Sequence, residues 1–253
     1  MGFVMECHGE GRIAIMSNFV LIHGAWHGGW CWKRVRRKLQ DLGHDVYTPT
    51  LTGLAERSHL LTRTVNLSTH IDDVANLMVW EQLSDVILCG HSYAGMVITG
   101  VADRVPERIR ALVYLDAFVP ESGESALQNV HEPQRAMIVE ATRKLGDGWK
   151  APHIPAAVFN TNPRDRDWVD RQCTRHPFAS LEERLRLRGG IHSIKNITYI
   201  LATGWRDTPF PRAHERARAR GWRTVSVACG HEVMLDMPEE LARELLAAAG
   251  RGN

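Results

Sequence analysis

Leu88-Cys89-Gly90-His91-Ser92-Tyr93-Ala94-Gly95-Met96 decides the fold. An apolar run from Val86 to Cys89 leads into it, and Val97, Ile98, Val101 and Ala102 follow at helical spacing. A strand, a sharp turn bearing serine and a helix make the context of a nucleophile elbow, whose pattern is G-x-S-x-G. Small residues are needed there because strand and helix pass close together around a strained backbone. The last position of the pattern is Ala94, one methyl larger than glycine, and Gly95 follows directly. The stretch therefore predicts that Ser92 is a presented nucleophile, not a chance serine in a loop.

The neighbouring segments repeat the same grammar. Asn18 to His23 reads as a buried strand, and Trp32, Val35, Leu39 and Leu42 recur at helical spacing before Gly43 closes the helix. Val46 to Thr48 is a second strand. Ser68 or Thr69 is expected to cap a helix carrying Ile71, Val74 and Met78. Ala111 to Leu115, Ile197 to Ala202 and Thr224 to Ala228 complete the strands. The last helix begins near Pro238, with Glu239 and Glu240 in the first turn where the helix dipole favours acids, and Asp236 is expected to cap it. Continuous apolar strands alternating with amphipathic helices imply an α/β fold, with a mostly parallel sheet covered on both faces.

The alternation breaks between 117 and 195, where prolines, tryptophans and charged helical stretches such as Leu181 to Leu187 are scattered. That segment is expected to be a helical cap inserted over the carboxyl ends of the strands. Residues 17–116 and 196–253 then form the core. Residues 1–16 are expected to be a disordered extension, with Met16 a candidate natural start.

Composition narrows the function classes. The chain has 253 residues, 44% of them hydrophobic and 24% charged, as expected of a globular protein with a proper core. A net charge of +2, with acids and arginines interspersed, argues against nucleic acid or an anionic membrane as partner. No apolar run approaches membrane-spanning length. Five cysteines without a C-x-x-C read as reduced thiols in a cytoplasmic protein, with neither a disulfide frame nor a zinc site. His23 and His27 stand four apart, but in a glycine-rich loop without H-E-x-x-H, so no metal is expected. No phosphate-cradling or dinucleotide fingerprint occurs, and no cofactor is expected. Oligomeric state is open, a homodimer included.

A serine hydroxyl needs a base, a group to hold that base, and donors for the oxyanion. His231, in Cys229-Gly230-His231-Glu232-Val233-Met234, lies between the last strand and the last helix, where it reaches the same rim as the elbow. His23-Gly24-Ala25 leaves the first strand toward that rim, so the N–H groups of Ala25 and Tyr93 are the expected oxyanion donors. Trp26, Trp30, Trp149, Trp168 and Tyr93 suggest an aromatic-lined pocket, with Gly24 and Trp26 against the substrate.

Taken together, HGAWHGGWCW, GHSYAG and CGHEVM resemble the esterase and hydroxynitrile-lyase branch of the α/β-hydrolases, over nearly all of residues 17–250. That resemblance implies the α/β-hydrolase fold and cleavage of a small-molecule ester through an acyl-enzyme. It also leaves open a slow-turnover ligand receptor on the same fold, and a lyase. The lyases carry threonine where Gly24 stands and lysine where Glu232 stands. A cyanide leaving group needs a nearby positive charge, so Glu232 turns the expectation toward hydrolysis. The acid has two main candidates, with Asp236 a minor third that reads more readily as the cap of the last helix. Asp207 follows the strand where most members place it, with extra residues between. Asp116 ends the strand after the elbow helix without adjustment, and it is favoured because a strand end is a rigid mount.

Overall fold

The computed structural model describes residues 16–205 and 208–250. The expected N-terminal extension falls, but for Met16, outside the described residues. The expected alternation is present. β1 (Asn18–Ile22) leads through α1 (Lys33–Asp41) to β2 (Asp45–Tyr47), and α2 (Leu67–Trp80) leads to β3 (Val86–His91). The elbow opens α3 (Ala94–Arg104), which returns the chain to β4 (Ile109–Leu115).

Next come α4 (Ala126–Asn129), α5 (Gln134–Leu145), β5 (Lys150–Ala151), α6 (Arg166–Gln172), β6 (His176–Pro177) and α7 (Phe178–Glu182). β5 and β6 form a short antiparallel ladder of their own. The main sheet resumes with β7 (Ile197–Ala202), α8 (Phe210–Ala219) and β8 (Arg223–Val227), and the chain closes with α9 (Val233–Asp236) and α10 (Pro238–Ala249).

The six main strands are all parallel, in the order β2-β1-β3-β4-β7-β8. Every residue of β3 is buried, which a sheet covered on both faces requires. Strand order reverses between β1 and β3, and such a switch point opens a crevice at the carboxyl ends of the strands. Register aligns those ends: Ile22 pairs with Gly90, His91 with Leu115, and Leu115 with Ile200. Residues just beyond β1, β3, β4 and β7 therefore gather at one rim.

Three local expectations are corrected. Asn66, not Ser68 or Thr69, caps α2. Its side chain accepts from the Thr69 N–H and Thr69 answers in a capping box, while Ser68 donates to Glu183 through both N–H and hydroxyl. The helical pattern from Leu181 to Leu187 stops at Glu182, because Glu183 is held by Ser68 and the Leu185 N–H pairs with Glu124 O. Asp236 ends α9 and accepts from the Asn162 N–H, so α10 starts from Met237 with Pro238 at its first position.

Candidate active site

The elbow is built as its small residues require. Ser92 has φ of 56°, in the left-handed region, and is fixed by Ser92 N–H donating to Leu115 O at 3.2 Å. Its own carbonyl accepts from the N–H groups of Gly95 and Phe118. A side chain at Gly95 would place its Cβ 2.0 Å from Phe118 O, and one at Gly90 would stand 2.8 Å from Ala94 O. Ala94 itself is fully buried against the core, so the crossing accommodates its methyl.

His231 follows β8 in the last loop and is 3% exposed. Its Nδ1 donates to Asp116 Oδ2 at 2.7 Å. Asp116, fully buried, is the residue directly after β4 and has φ of 40°. The same Oδ2 accepts Trp205 Nε1–H at 3.0 Å, and Oδ1 accepts the Ala202 N–H at 3.1 Å. Three donors thus converge on one buried carboxylate, which is how a charge is tolerated away from water. Phe159, Trp205 and Phe210 crowd the imidazole with ring centroids 4.8–5.4 Å away, and Phe210 stacks on it nearly parallel. Asp207, the other candidate acid, lies outside the described residues.

The loop after β1 is locked from behind by histidines. Leu51 N–H donates to His23 Nε2 at 3.0 Å, so the His23 proton sits on Nδ1, which donates to Gly24 O at 2.8 Å. That carbonyl belongs to the peptide whose N–H is Ala25's. A Cβ at Gly24 would stand 3.0 Å from both Ser92 Cβ and His91 Nδ1, so glycine here lets the loop pass Ser92. Trp26, with φ of 65°, is held by His176 Nδ1 accepting its N–H and by Ala151 O accepting its Nε1–H. Among the described residues no acceptor takes the Ala25 or Tyr93 N–H.

Ser92 and His231 line a common cavity, together with Ala25 and Tyr93. Its rings are Trp26, Tyr93, Phe118, Phe159, Trp205 and Phe210. Of the five aromatics named from the sequence, only Trp26 and Tyr93 are among them. Trp30 and Trp168 pack edge to face at 4.9 Å over a surface groove, and Trp149 lies under Arg63 and Lys150. Gly24, expected against the substrate, is not among the residues that line the cavity. Phe118, Phe159, Trp205 and Phe210 come from loops and helix ends, where no periodicity marks them.

Glu232 also corrects the sequence reading. Its side chain is 1% exposed and turns away from the cavity to His27 Nε2 at 3.3 Å, an ion pair without an aligned hydrogen bond. It brings no cation to the cavity, but its negative charge does not face a leaving group either. His27 Nδ1 in turn donates to Ala25 O at 2.8 Å, so one imidazole ties the loop after β1 to the loop carrying His231.

Burial and pairing set opposite charge states. Desolvation lowers His23 to about 3, against its bond to Gly24 O, and lowers His70 to about 4. Burial also pushes down His27, but the Glu232 carboxylate, aided by Cys173, outweighs it and holds His27 protonated well above the usual imidazole range. The linkage follows. Below pH 6.5 the unfolded chain takes up protons that folded His23 and His70 refuse, so stability falls as pH drops toward 4. Above 6.5 folded His27 keeps a proton that the unfolded chain releases, so stability also falls as pH rises toward the folded value. Each fully coupled histidine contributes about 1.4 kcal/mol per pH unit within its window. Urea midpoints are expected to peak near pH 6.5 and to fall on both sides, and Glu232→Gln to flatten only the alkaline limb. A midpoint still rising between pH 7 and 9 would contradict the assignment for His27.

Among the described residues, no three His, Cys, Asp or Glu side chains are grouped to hold a metal, and no helix is long and apolar enough to cross a membrane.

Comparison with known proteins agrees with this architecture. The profile of the alpha/beta hydrolase family matches residues 19–244. A carbendazim hydrolyzing esterase from Nocardioides sp. (strain SG-4G) is 46% identical over 243 residues, 92% of this chain and 99% of that protein. Salicylic acid-binding protein 2 of Nicotiana tabacum is 40% identical over 110 residues, 42% of this chain and 41% of the relative. An extracellular alpha/beta-hydrolase from a Paenibacillus species, described as sharing structural and functional homology with that tobacco protein, superposes with a TM-score of 0.80 at 26% identity. The superposition covers 93% of this chain and 99% of that one.

Proposed function

The chain belongs to the alpha/beta hydrolase family, and from that premise we propose that it cleaves small carboxylic esters with Ser92 as nucleophile, His231 as base and Asp116 as the acid that orients the base. The observation that carries the reading is the fully buried 2.7 Å bond from His231 Nδ1 to Asp116, behind an imidazole that shares its cavity with Ser92. His231 Nε2 accepts the Ser92 proton as Oγ attacks the ester carbonyl. The oxyanion takes the unpaired N–H groups of Ala25 and Tyr93, the alcohol leaves with the proton, and water then releases the acid by the reverse route.

Each oxyanion donor is worth about 10²–10³ in rate in such sites. His23 supports that role, because a hydrogen bond to Gly24 O polarises the Gly24–Ala25 peptide and strengthens its N–H as a donor.

That the chain is an ester hydrolase follows from relatives named as esterases, one of them nearly half identical along its whole length. Only the chemical class, a small ester, is carried over. Residues 117–195 act as the cap that sets substrate choice, since α4 and α5 roof the cavity. A cytoplasmic location belongs to the same proposal, supported by the free thiols of Cys31, Cys89, Cys173 and Cys229.

Stopped-flow hydrolysis of p-nitrophenyl acetate tests the function. An esterase gives an acyl-enzyme burst stoichiometric with protein or steady turnover above 1 s⁻¹, near the low end of ordinary enzymes at about 1–10³ s⁻¹. Binding without a burst or turnover would indicate a receptor instead.

A further inference from the structure

Ala25 has only a methyl as its side chain, so its backbone is held through the carbonyls on either side of its N–H. Both accept from buried histidines: Gly24 O from His23 Nδ1 and Ala25 O from His27 Nδ1, each at 2.8 Å. The second bond carries more demand. Trp26 follows with φ of 65°, a conformation that a bulky residue keeps only where its surroundings impose it. Trp30 stacks on the His27 ring with centroids 5.1 Å apart, which fixes the plane of the imidazole. On the far side of the ring, His27 Nε2 faces Glu232 Oε1 at 3.3 Å. Glu232 is buried, and neither of its oxygens has a hydrogen-bond partner.

Stability alone does not account for this pair. Burying two charges with unmet hydrogen bonds is costly, and apolar residues of similar volume often serve a fold as well or better. What the pair adds is a charged donor to Ala25 O, which bonds roughly twice as strongly as a neutral one. It also adds a link to the loop of the base, because Glu232 follows His231 directly in the chain. Resting on the esterase reading above, we propose that His27 and Glu232 are positioning residues: His27 holds Ala25 so that its N–H meets the oxyanion, and Glu232 sets the place of that donor relative to His231. The pair acts on the transition state, because the negative charge on that oxygen develops only there. Ground-state binding is insulated from it, since Trp26 on the cavity wall has its own anchors in His176 and Ala151 O.

The test removes both charges together, so that neither is left buried alone. His27→Leu/Glu232→Met and His27→Asn/Glu232→Met are assayed on p-nitrophenyl acetate beside wild type, and a cooperative melt checks folding. The Leu pair is expected to lose about ten- to a hundredfold in kcat, short of the roughly 10²–10³ that a whole donor is worth. Acylation and deacylation both pass through the oxyanion, so KM should hold within about threefold. The Asn pair is expected to recover most of the loss, because Asn Nδ2 stands as far along its side chain as His Nδ1 and can donate to Ala25 O. A folded Leu pair with kcat within about twofold of wild type, or equal losses in the Leu and Asn pairs, would show a merely structural role and overturn the proposal while leaving the esterase reading intact. If the Leu pair does not melt cooperatively, Glu232→Gln decides: a several-fold loss in kcat at constant KM supports the role, and an unchanged kcat overturns it. Turnover that survives Ser92→Ala would strike the esterase reading, and this inference with it.

Discussion

Ser92→Ala lowers kcat on a small aryl ester by about five to six orders of magnitude, with the melting transition little changed. The serine is only half-buried, and its backbone is held by bonds that alanine keeps: its N–H to Leu115 O, and its carbonyl to Gly95 and Phe118. On the proposed mechanism, the substitution removes the atom that forms the acyl bond. In a serine hydrolase working as a unit, losing the nucleophile costs about as much as losing the whole triad, roughly 10⁶ in kcat. The Ala25 and Tyr93 donors remain and leave a residual rate above that of water. Steady-state kinetics on protein free of wild-type contamination measures the loss, and a drop of less than a hundredfold would leave no place for Ser92 as nucleophile.

The second large effect concerns the acid. Asp116→Asn is expected to lose about 10⁴ in kcat, the cost seen when a triad aspartate becomes asparagine and the imidazole is held in the wrong tautomer. Asp116 receives three donors, from His231, Trp205 and Ala202. An asparagine offers one acceptor oxygen and turns an NH₂ group toward a donor, so the imidazole proton must move to the nitrogen facing Ser92. Asp207→Asn is expected to stay within a few-fold of wild type, since the His231 imidazole already has its carboxylate in Asp116. The reverse ranking in kcat would reassign the acid to Asp207, after the strand that most of the family uses.

Much of this frame was legible in the sequence because the signals were local. Val86 to Met96 joins a continuous apolar run to a helical period through two glycines and an alanine, and only a strand–turn–helix crossing accounts for that spacing. Gly-His-Glu after the last apolar run put an imidazole at the strand ends, where every βα loop of a parallel sheet opens. Asp116 was favoured on its position, one residue beyond β4, and it is the carboxylate bonded to His231.

What escaped was decided by tertiary contact. Glu232 follows His231 directly, but in an irregular turn adjacency does not fix direction, and its side chain turns to His27. Trp205 carries no sign that its indole reaches Asp116 from 89 residues away in sequence. The pocket rings Phe118, Phe159 and Phe210 sit in segments without a period, while Trp30 and Trp149, which look equally suited by residue type, face elsewhere. The shortened α7 has such a cause, since Glu183 reaches across to Ser68, whereas the cap of α2 is a local box between Asn66 and Thr69.

In the proposed reaction one serine, activated by His231, takes the acyl group. Intact-mass and peptide-level mass spectrometry after treatment with a p-nitrophenyl alkylphosphonate tests it most directly. A single adduct per chain is expected, on Ser92, formed at a rate that collapses in His231→Ala. An adduct on another residue, or unchanged labelling of Ser92 without His231, would contradict it.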